Sequence, residues 1–222
     1  MRPTSTKPRS QTHASRRVAW LGLAALLANL AWVVPGAAQT GPPDGLAPLP
    51  LCAACHGPQG QGSTAGFPRL AGQNAGYLAQ ALAKFKDKSR ASDIMQPVAQ
   101  GLSDDQIQQL AAYFAAQHPT SPVAVPPSFT AEQVAAGQQL VHSGAPNLAS
   151  CFSCHGSDGR GIGVRFPAIV GEPALFVIAR LHEFQARAKA GGAKPGTMTQ
   201  VSAGMTEAQI QEAAAFLSAS AP

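Results

Sequence analysis

The hexapeptide Cys52-Ala53-Ala54-Cys55-His56-Gly57 recurs 99 residues further along the chain as Cys151-Phe152-Ser153-Cys154-His155-Gly156. Beyond Phe184 the offset becomes 103, which pairs Met95 with Met198. Because self-similarity at a fixed spacing marks a repeated structural unit, the chain predicts a tandem duplication of one module of about 80 residues. The first offset also aligns Gly60 with Gly159, Gly62 with Gly161, Phe67-Pro68 with Phe166-Pro167, and Gly72 with Gly171.

A proline-rich segment separates the two copies. Four prolines fall within residues 118–128, and such a segment cannot continue a helix but favours an extended spacer. We therefore predict a first domain at residues 51–118, a linker at 119–129 and a second domain at 130–222. A second proline-rich stretch, residues 39–50, precedes the first domain and is expected to have little structure of its own.

Each copy carries helix signals and ends on an amphipathic helix. Ser103 with Gln106 forms a capping box, and Ile107, Leu110 and Phe114 then recur at helical spacing. The second copy repeats this pattern from Thr206. Similar periodicity covers residues 77–86 and 175–187, and no alternating strand pattern is found. The sequence predicts an all-α fold with glycine-rich loops.

The two Cys-x-x-Cys-His segments carry the chemistry. Two thiols three positions apart can bond to neighbouring points on a porphyrin edge, and the histidine that follows can supply an axial nitrogen to the iron. Four cysteines could instead form two disulfides, a thiol-redox pair or half of a zinc site. None of these alternatives explains why a histidine follows directly in both copies. The sequence therefore predicts two covalently bound haem c groups, each holding one iron.

These residues resemble the class I cytochromes c, and specifically the two-haem cytochrome c4 type. The segments that carry the resemblance are CAACHG at 52–57, FPRLAGQ at 67–73, and Met95 with GLSD at 101–104. The resemblance extends from Leu51 to the end of the chain. It implies two class I cytochrome c domains in tandem, each wrapped around one covalent haem.

The resemblance also implies a role for ten residues. The implied thioether attachment sites are Cys52, Cys55, Cys151 and Cys154. The implied iron ligands are His56 and His155 on the proximal side and Met95 and Met198 on the distal side. The implied acceptors of the second imidazole N–H are the carbonyl groups of Pro68 and Pro167. Met205 aligns with Leu102 and is interpreted as a packing residue.

The formal charge of +5 comes from the first 17 residues, which hold five basic residues and no acidic one. The apolar run Val18–Val34 and the small residues Gly36-Ala37-Ala38 follow. This order predicts an export signal at residues 1–38 that is cleaved after Ala38, with an uncleaved membrane anchor as the alternative. Without it the chain has 11 basic and 11 acidic residues, which argues against nucleic acid as a partner.

Two kinds of function follow from this pattern. The resemblance implies a monomeric periplasmic carrier that moves single electrons from a quinol-oxidising complex to a terminal oxidase, and it leaves peripheral membrane association open. The alternative is the cytochrome subunit of a dehydrogenase, or a two-haem redox enzyme such as a peroxidase or a thiosulfate-oxidising enzyme. An enzyme needs an open iron position or an extra cysteine ligand, and attachment uses all four cysteines.

Overall fold

The computed structural model describes residues 46–118 and 129–222, and the regular structure within them is helical. Two isolated bridges are the only β-type pairings in these ranges, Ala145 with Leu148 and Ile162 with Phe166. The predicted all-α fold is therefore found. The predicted signal at 1–38 and linker residues 119–128 lie outside the described residues. Among the described helices, none combines the length and apolar character that a membrane crossing requires.

The first domain contains four helices. They are α1 (Leu49–His56), α2 (Ala75–Lys86), α3 (Met95–Gln100) and α4 (Asp104–Ala115). The predicted capping box is present, since the Ser103 hydroxyl accepts from the Gln106 N–H at 3.1 Å and the Gln106 side chain accepts from the Ser103 N–H at 2.9 Å. Helix α1 starts inside the segment 39–50, two residues before the predicted start of the domain.

The second domain contains five helices, and the last four correspond to α1–α4. They are α5 (Ala131–Ser143), α6 (Phe152–His155), α7 (Ala174–Gly191), α8 (Met198–Ala203) and α9 (Glu207–Ala219). Helix α7 is 18 residues long where α2 has 12. The four residues inserted between Phe184 and Met198 therefore enter partly as additional helix.

Each domain has its own apolar cluster built on its closing helix. In the first domain Ile107, Leu110 and Phe114 of α4 pack against Leu78 of α2. In the second domain Ile210, Ala213 and Leu217 of α9 pack against α5 and α7. Helices α5 and α9 cross with their backbones in contact, because a Cβ at Gly137 would overlap the carbonyl oxygen of Glu212.

The two domains meet through equivalent segments. Val164 of the second domain lies over Gly76, with a side-chain carbon 2.7 Å from where a Cβ at that glycine would stand. Leu175 is the repeat equivalent of Gly76, and its Cβ lies 3.2 Å from where a Cβ at Gly66 would stand. A contact in which equivalent surfaces meet each other is isologous, as in a two-fold dimer. The duplication therefore assembles like a dimer within one chain.

We expect Gly137→Ala to lower the free energy of unfolding by about 3 kcal/mol, because the added methyl group forces α5 away from α9. The matched control is Gly191→Ala, since a Cβ there meets no atom within 4 Å. That control should leave stability unchanged or raise it by about 1 kcal/mol. Denaturant unfolding of the purified protein measures both values. Equal effects of the two substitutions would contradict the close crossing.

Candidate functional site

In both copies the histidine of the repeated motif is held by a proline carbonyl. The Nδ1 atom of His56 lies 2.8 Å from the Pro68 carbonyl oxygen, and that of His155 lies 2.7 Å from the Pro167 carbonyl oxygen. Because a carbonyl oxygen only accepts, Nδ1 is the donor in each pair. Each Nε2 is left with a free lone pair, as a metal-binding imidazole requires.

Burial shifts the pKa values of the histidines and of two cysteines in the repeated motif. It lowers the pKa of His56 and His155, so both imidazoles are neutral near pH 7. It raises the pKa of the Cys52 thiol, and that of Cys151 to about 11. Thiols that serve redox exchange or zinc binding have a lowered pKa instead. The raised pKa values of Cys52 and Cys151 therefore disfavour both alternatives. None of the four cysteines forms a disulfide.

Glycines that both copies share turn the chain back from the histidine towards the proline. Gly60 and Gly159 have φ values of +75° and +71°, which side chains other than glycine rarely adopt. A Cβ at Gly60 would also stand 2.6 Å from the Phe114 ring. The loop closes through the Leu70 N–H, which donates to the Gly60 carbonyl at 2.7 Å. The repeated glycines therefore allow the tight loop that brings the proline carbonyl to the histidine.

One cavity of about 1460 Å³ extends across both domains. It exceeds the ~300–1,000 Å³ of a pocket for one small molecule, so it has room for two large groups. The structure brings all ten residues of the predicted site to its wall: Cys52, Cys55, His56, Pro68, Met95, Cys151, Cys154, His155, Pro167 and Met198.

Methionine 205 also reaches this cavity, but its side chain is 7% exposed and belongs to the apolar cluster of the second domain. Met198 is half-buried and packs against the same cluster from α8. Of the remaining described histidines, His142 packs against the ring of Phe152, and His182 bonds to the Glu207 carboxylate at 2.8 Å. These two histidines do not line the cavity.

Two arginines in the cavity wall were missed from the sequence. The Nε atoms of Arg69 and Arg90 are buried and have no hydrogen-bond partner among the described residues. Buried charged donors require an anionic or polar partner, and a haem brings two propionate carboxylates. The cavity and the paired histidines therefore fit a haem in each domain, and the unpartnered Nε atoms of Arg69 and Arg90 fit an anionic group in the first domain.

Buried polar side chains join the domains next to this cavity. The Gln73 amide bonds to the backbone of Ala168 twice, accepting from its N–H at 2.9 Å and donating to its carbonyl at 3.1 Å. The Glu172 carboxylate accepts from the Arg69 N–H at 3.0 Å. Glu172 is the repeat equivalent of Gln73, and Ala168 is that of Arg69. The offset of 99 identifies these positions as equivalent, but it does not predict that they meet across the two domains.

The family model described as cytochrome c matches residues 50–117 and 134–221, one match in each domain. The chain belongs to the cytochrome c family. It is a two-domain cytochrome c of the c4 type, and it carries two covalently bound haem c groups.

Known proteins similar to this cytochrome c include cytochromes c4 and thiosulfate dehydrogenase proteins. The thiosulfate dehydrogenase electron acceptor of Thiomonas intermedia is 35% identical over 88% of this chain and 88% of that protein. The solved cytochrome c4 of Acidithiobacillus ferrooxidans matches with a TM-score of 0.60 and 34% identity, over 76% of this chain and 98% of that one. The solved thiosulfate dehydrogenase TsdBA of Marichromatium purpuratum matches at 0.67 and 30%, over 77% of this chain and 36% of that one.

Replacing Cys52 and Cys55 by alanine should prevent stable folding of the first domain of this cytochrome c. A module of this size buries too little surface by itself, and the cavity at its centre has no side chain to fill it. Limited proteolysis with mass spectrometry should show cleavage confined to the first domain. The matched control replaces Cys151 and Cys154 and should move cleavage to the second domain. A first domain that resists protease in the first variant would contradict this expectation.

Proposed function

We propose that this protein carries single electrons through two six-coordinate haem sites, with His56 and Met95 as ligands in the first domain and His155 and Met198 in the second. The observation that carries the proposal is the pair of buried imidazoles, each with Nδ1 bonded to a proline carbonyl. Their free Nε2 atoms belong to rings that share one cavity wall with both methionines. Cys52 and Cys55, and likewise Cys151 and Cys154, form the thioether attachments.

A bound haem c supplies an iron that alternates between the ferrous and ferric states. The protein's own residues set the conditions for this change. The proline carbonyl fixes the tautomer and orientation of each imidazole. The methionine sulfur is a soft, neutral ligand that favours the ferrous state and raises the potential. If a histidine and a methionine of each domain both bind its iron, neither site would offer an open position to a substrate, which favours a carrier over an enzyme.

The resemblance to cytochrome c4 supports a quinol-oxidising complex as electron donor and a terminal oxidase as acceptor. The basic, apolar and small-residue order of residues 1–38 supports export, and hence the periplasm as the place where the protein works. The equal numbers of basic and acidic residues after that segment support docking through local patches. We expect the carrier to be a monomer, because its two domains already form the isologous contact that a dimer would make.

A second candidate is the electron acceptor of a dehydrogenase. The relative from Thiomonas intermedia is named as the acceptor of a thiosulfate dehydrogenase, and it aligns with nearly the whole chain. The two candidates share the haem sites and differ in the electron donor. Thiosulfate dehydrogenase is therefore the alternative donor to test.

Met198→Leu should abolish the long-wavelength absorption band of methionine bound to ferric iron at the second site, because leucine offers no sulfur. The matched control is Met205→Leu, a buried substitution in the same cluster that should keep the band. Met95→Leu should remove the corresponding band of the first site. Loss of the band in Met205→Leu and its retention in Met198→Leu would show that the ligand assignment is wrong.

The donor can be identified by stopped-flow reduction of the oxidised protein. We expect a quinol-oxidising membrane complex with quinol to reduce both haems at least about tenfold faster than a thiosulfate dehydrogenase with thiosulfate does. The reverse order would assign the second candidate. High-spin iron at either site, or rapid turnover of peroxide, would contradict the carrier function itself.

A further inference from the structure

The polar contact between the domains is formed by equivalent positions of the two copies, but one of these positions carries a different residue. Gln73 and Glu172 occupy equivalent positions, and each reaches across to the backbone of the other domain at equivalent residues, Ala168 and Arg69. These side chains are buried, with Gln73 3% exposed and Glu172 4% exposed. The contact is therefore a matched pair in which one amide is replaced by a carboxyl group.

An amide and an ionised carboxylate differ in what they can donate. The Gln73 amide has both an acceptor group and a donor group and uses both on Ala168, while its oxygen also accepts from the Asn74 N–H at 3.2 Å. An ionised Glu172 offers acceptors alone, which suits the N–H of Arg69 but not its carbonyl. A protonated Glu172 has an O–H in addition, and then offers the same pair of groups as the amide. Protonation thus makes the two halves of the contact chemically equivalent.

The surroundings of Glu172 favour the protonated form. Burial raises the pKa of this carboxyl to about 7, although the charge and the N–H of Arg69 act to lower it. Arg69 itself is buried, and its guanidinium donates to the carbonyls of Ala71 and Val170. Arg160 is the further charged group that acts on Arg69. Both Glu172 and Arg69 line the cavity, where the propionates of bound haem would add negative charge.

We propose that Glu172 is a positioning residue for electron transfer, which couples one proton to the contact between the domains and to the reduction potential of the haems. The inference rests on the proposed carrier function. When an electron arrives from the donor protein, Glu172 takes up a proton from solvent and completes the matched contact. When the electron leaves, the proton returns to solvent, so charge in the cavity wall stays balanced.

The proposal fixes the sign of two pH dependences. The pKa of Glu172 is higher in the folded protein than in the unfolded chain, where it is near the ordinary value of 4.5. The folded state therefore binds the extra proton between these values, and stability falls as pH rises from about 4.5 to about 7. The negative charge that appears over this range also favours ferric iron. The reduction potential should therefore fall as the pH rises through 7.

The test compares Glu172→Gln with Gln73→Glu and with the exchange variant that carries both substitutions. Glu172→Gln keeps the shape of the protonated side chain and removes the ionisable group. Gln73→Glu adds a second ionisable group at the equivalent position, and the exchange variant moves the single group across the interface. All are made as haem-loaded full-length protein. The readouts are the thermal midpoint and the potential of each haem from pH 5 to pH 8, the latter by spectroelectrochemical titration.

In the wild type the thermal midpoint should fall as the pH rises from 5 to about 7 and then level off, and the reduction potentials should fall as the pH rises through 7. Glu172→Gln should lose this shift and keep the low-pH values throughout. Gln73→Glu should show a larger shift than the wild type, and the exchange variant should regain it. A wild-type shift that survives in Glu172→Gln would overturn the proposal and assign the proton to another group. A wild type without any shift would also overturn it.

These outcomes are separable from failure of the carrier function. Optical spectra of the same samples report whether both irons are low-spin and reversibly reducible. If they are and the shift is missing, the proton coupling is wrong and the carrier function stands. High-spin iron in the wild type would instead refute the proposed ligands.

Discussion

The hydrogen bond between the histidine Nδ1 and a proline carbonyl twelve residues later is the constraint on which each domain depends. It requires the chain to leave a helix, turn back and pass the imidazole again, which the glycines at equivalent positions make possible. The residues that follow the proline then emerge at the edge of the domain. There Arg69 and Ala168 present their backbones to the other domain. The residue that follows each bonded proline thus takes part in the contact between the domains.

The cavity shows that the protein is incomplete without its cofactors. Burying a polar donor without a partner is unfavourable, and the Nε atoms of Arg69 and Arg90 have none among the described residues. The same wall carries apolar side chains from both domains. A haem has a large apolar ring and an anionic edge. The ring matches the apolar side chains of the wall, and the edge matches its arginines. Covalent attachment through the thiols then makes this filling permanent, so small domains gain a core that their own side chains lack.

The sequence predicted those features that local signals or the repeat encode. The capping box at Ser103 is encoded by four residues. The ten residues of the predicted site recur at two fixed offsets, and all of them line the cavity. The sequence does not predict the start of α1, because prolines in residues 39–50 argue against a helix there. Pro48 is the N-cap of α1, and Pro50 stands in its first turn, where the missing N–H has no partner to lose. The contact between Gln73 and Ala168 depends on how two domains pack, which no local pattern contains.

Duplication alone gives two equal sites, whereas directed transfer benefits from unequal ones. The proposed ligand sets, a histidine and a methionine in each domain, have the same chemistry and would contribute no difference in potential. The differences lie in the walls, where Arg69 is replaced by Ala168 and Gln73 by Glu172. Both replacements change charge, and both stand where the domains meet. An arginine raises the potential of a nearby iron and an ionised carboxylate lowers it. The charged residues at the contact between the two domains therefore make the surroundings of the two haem sites different.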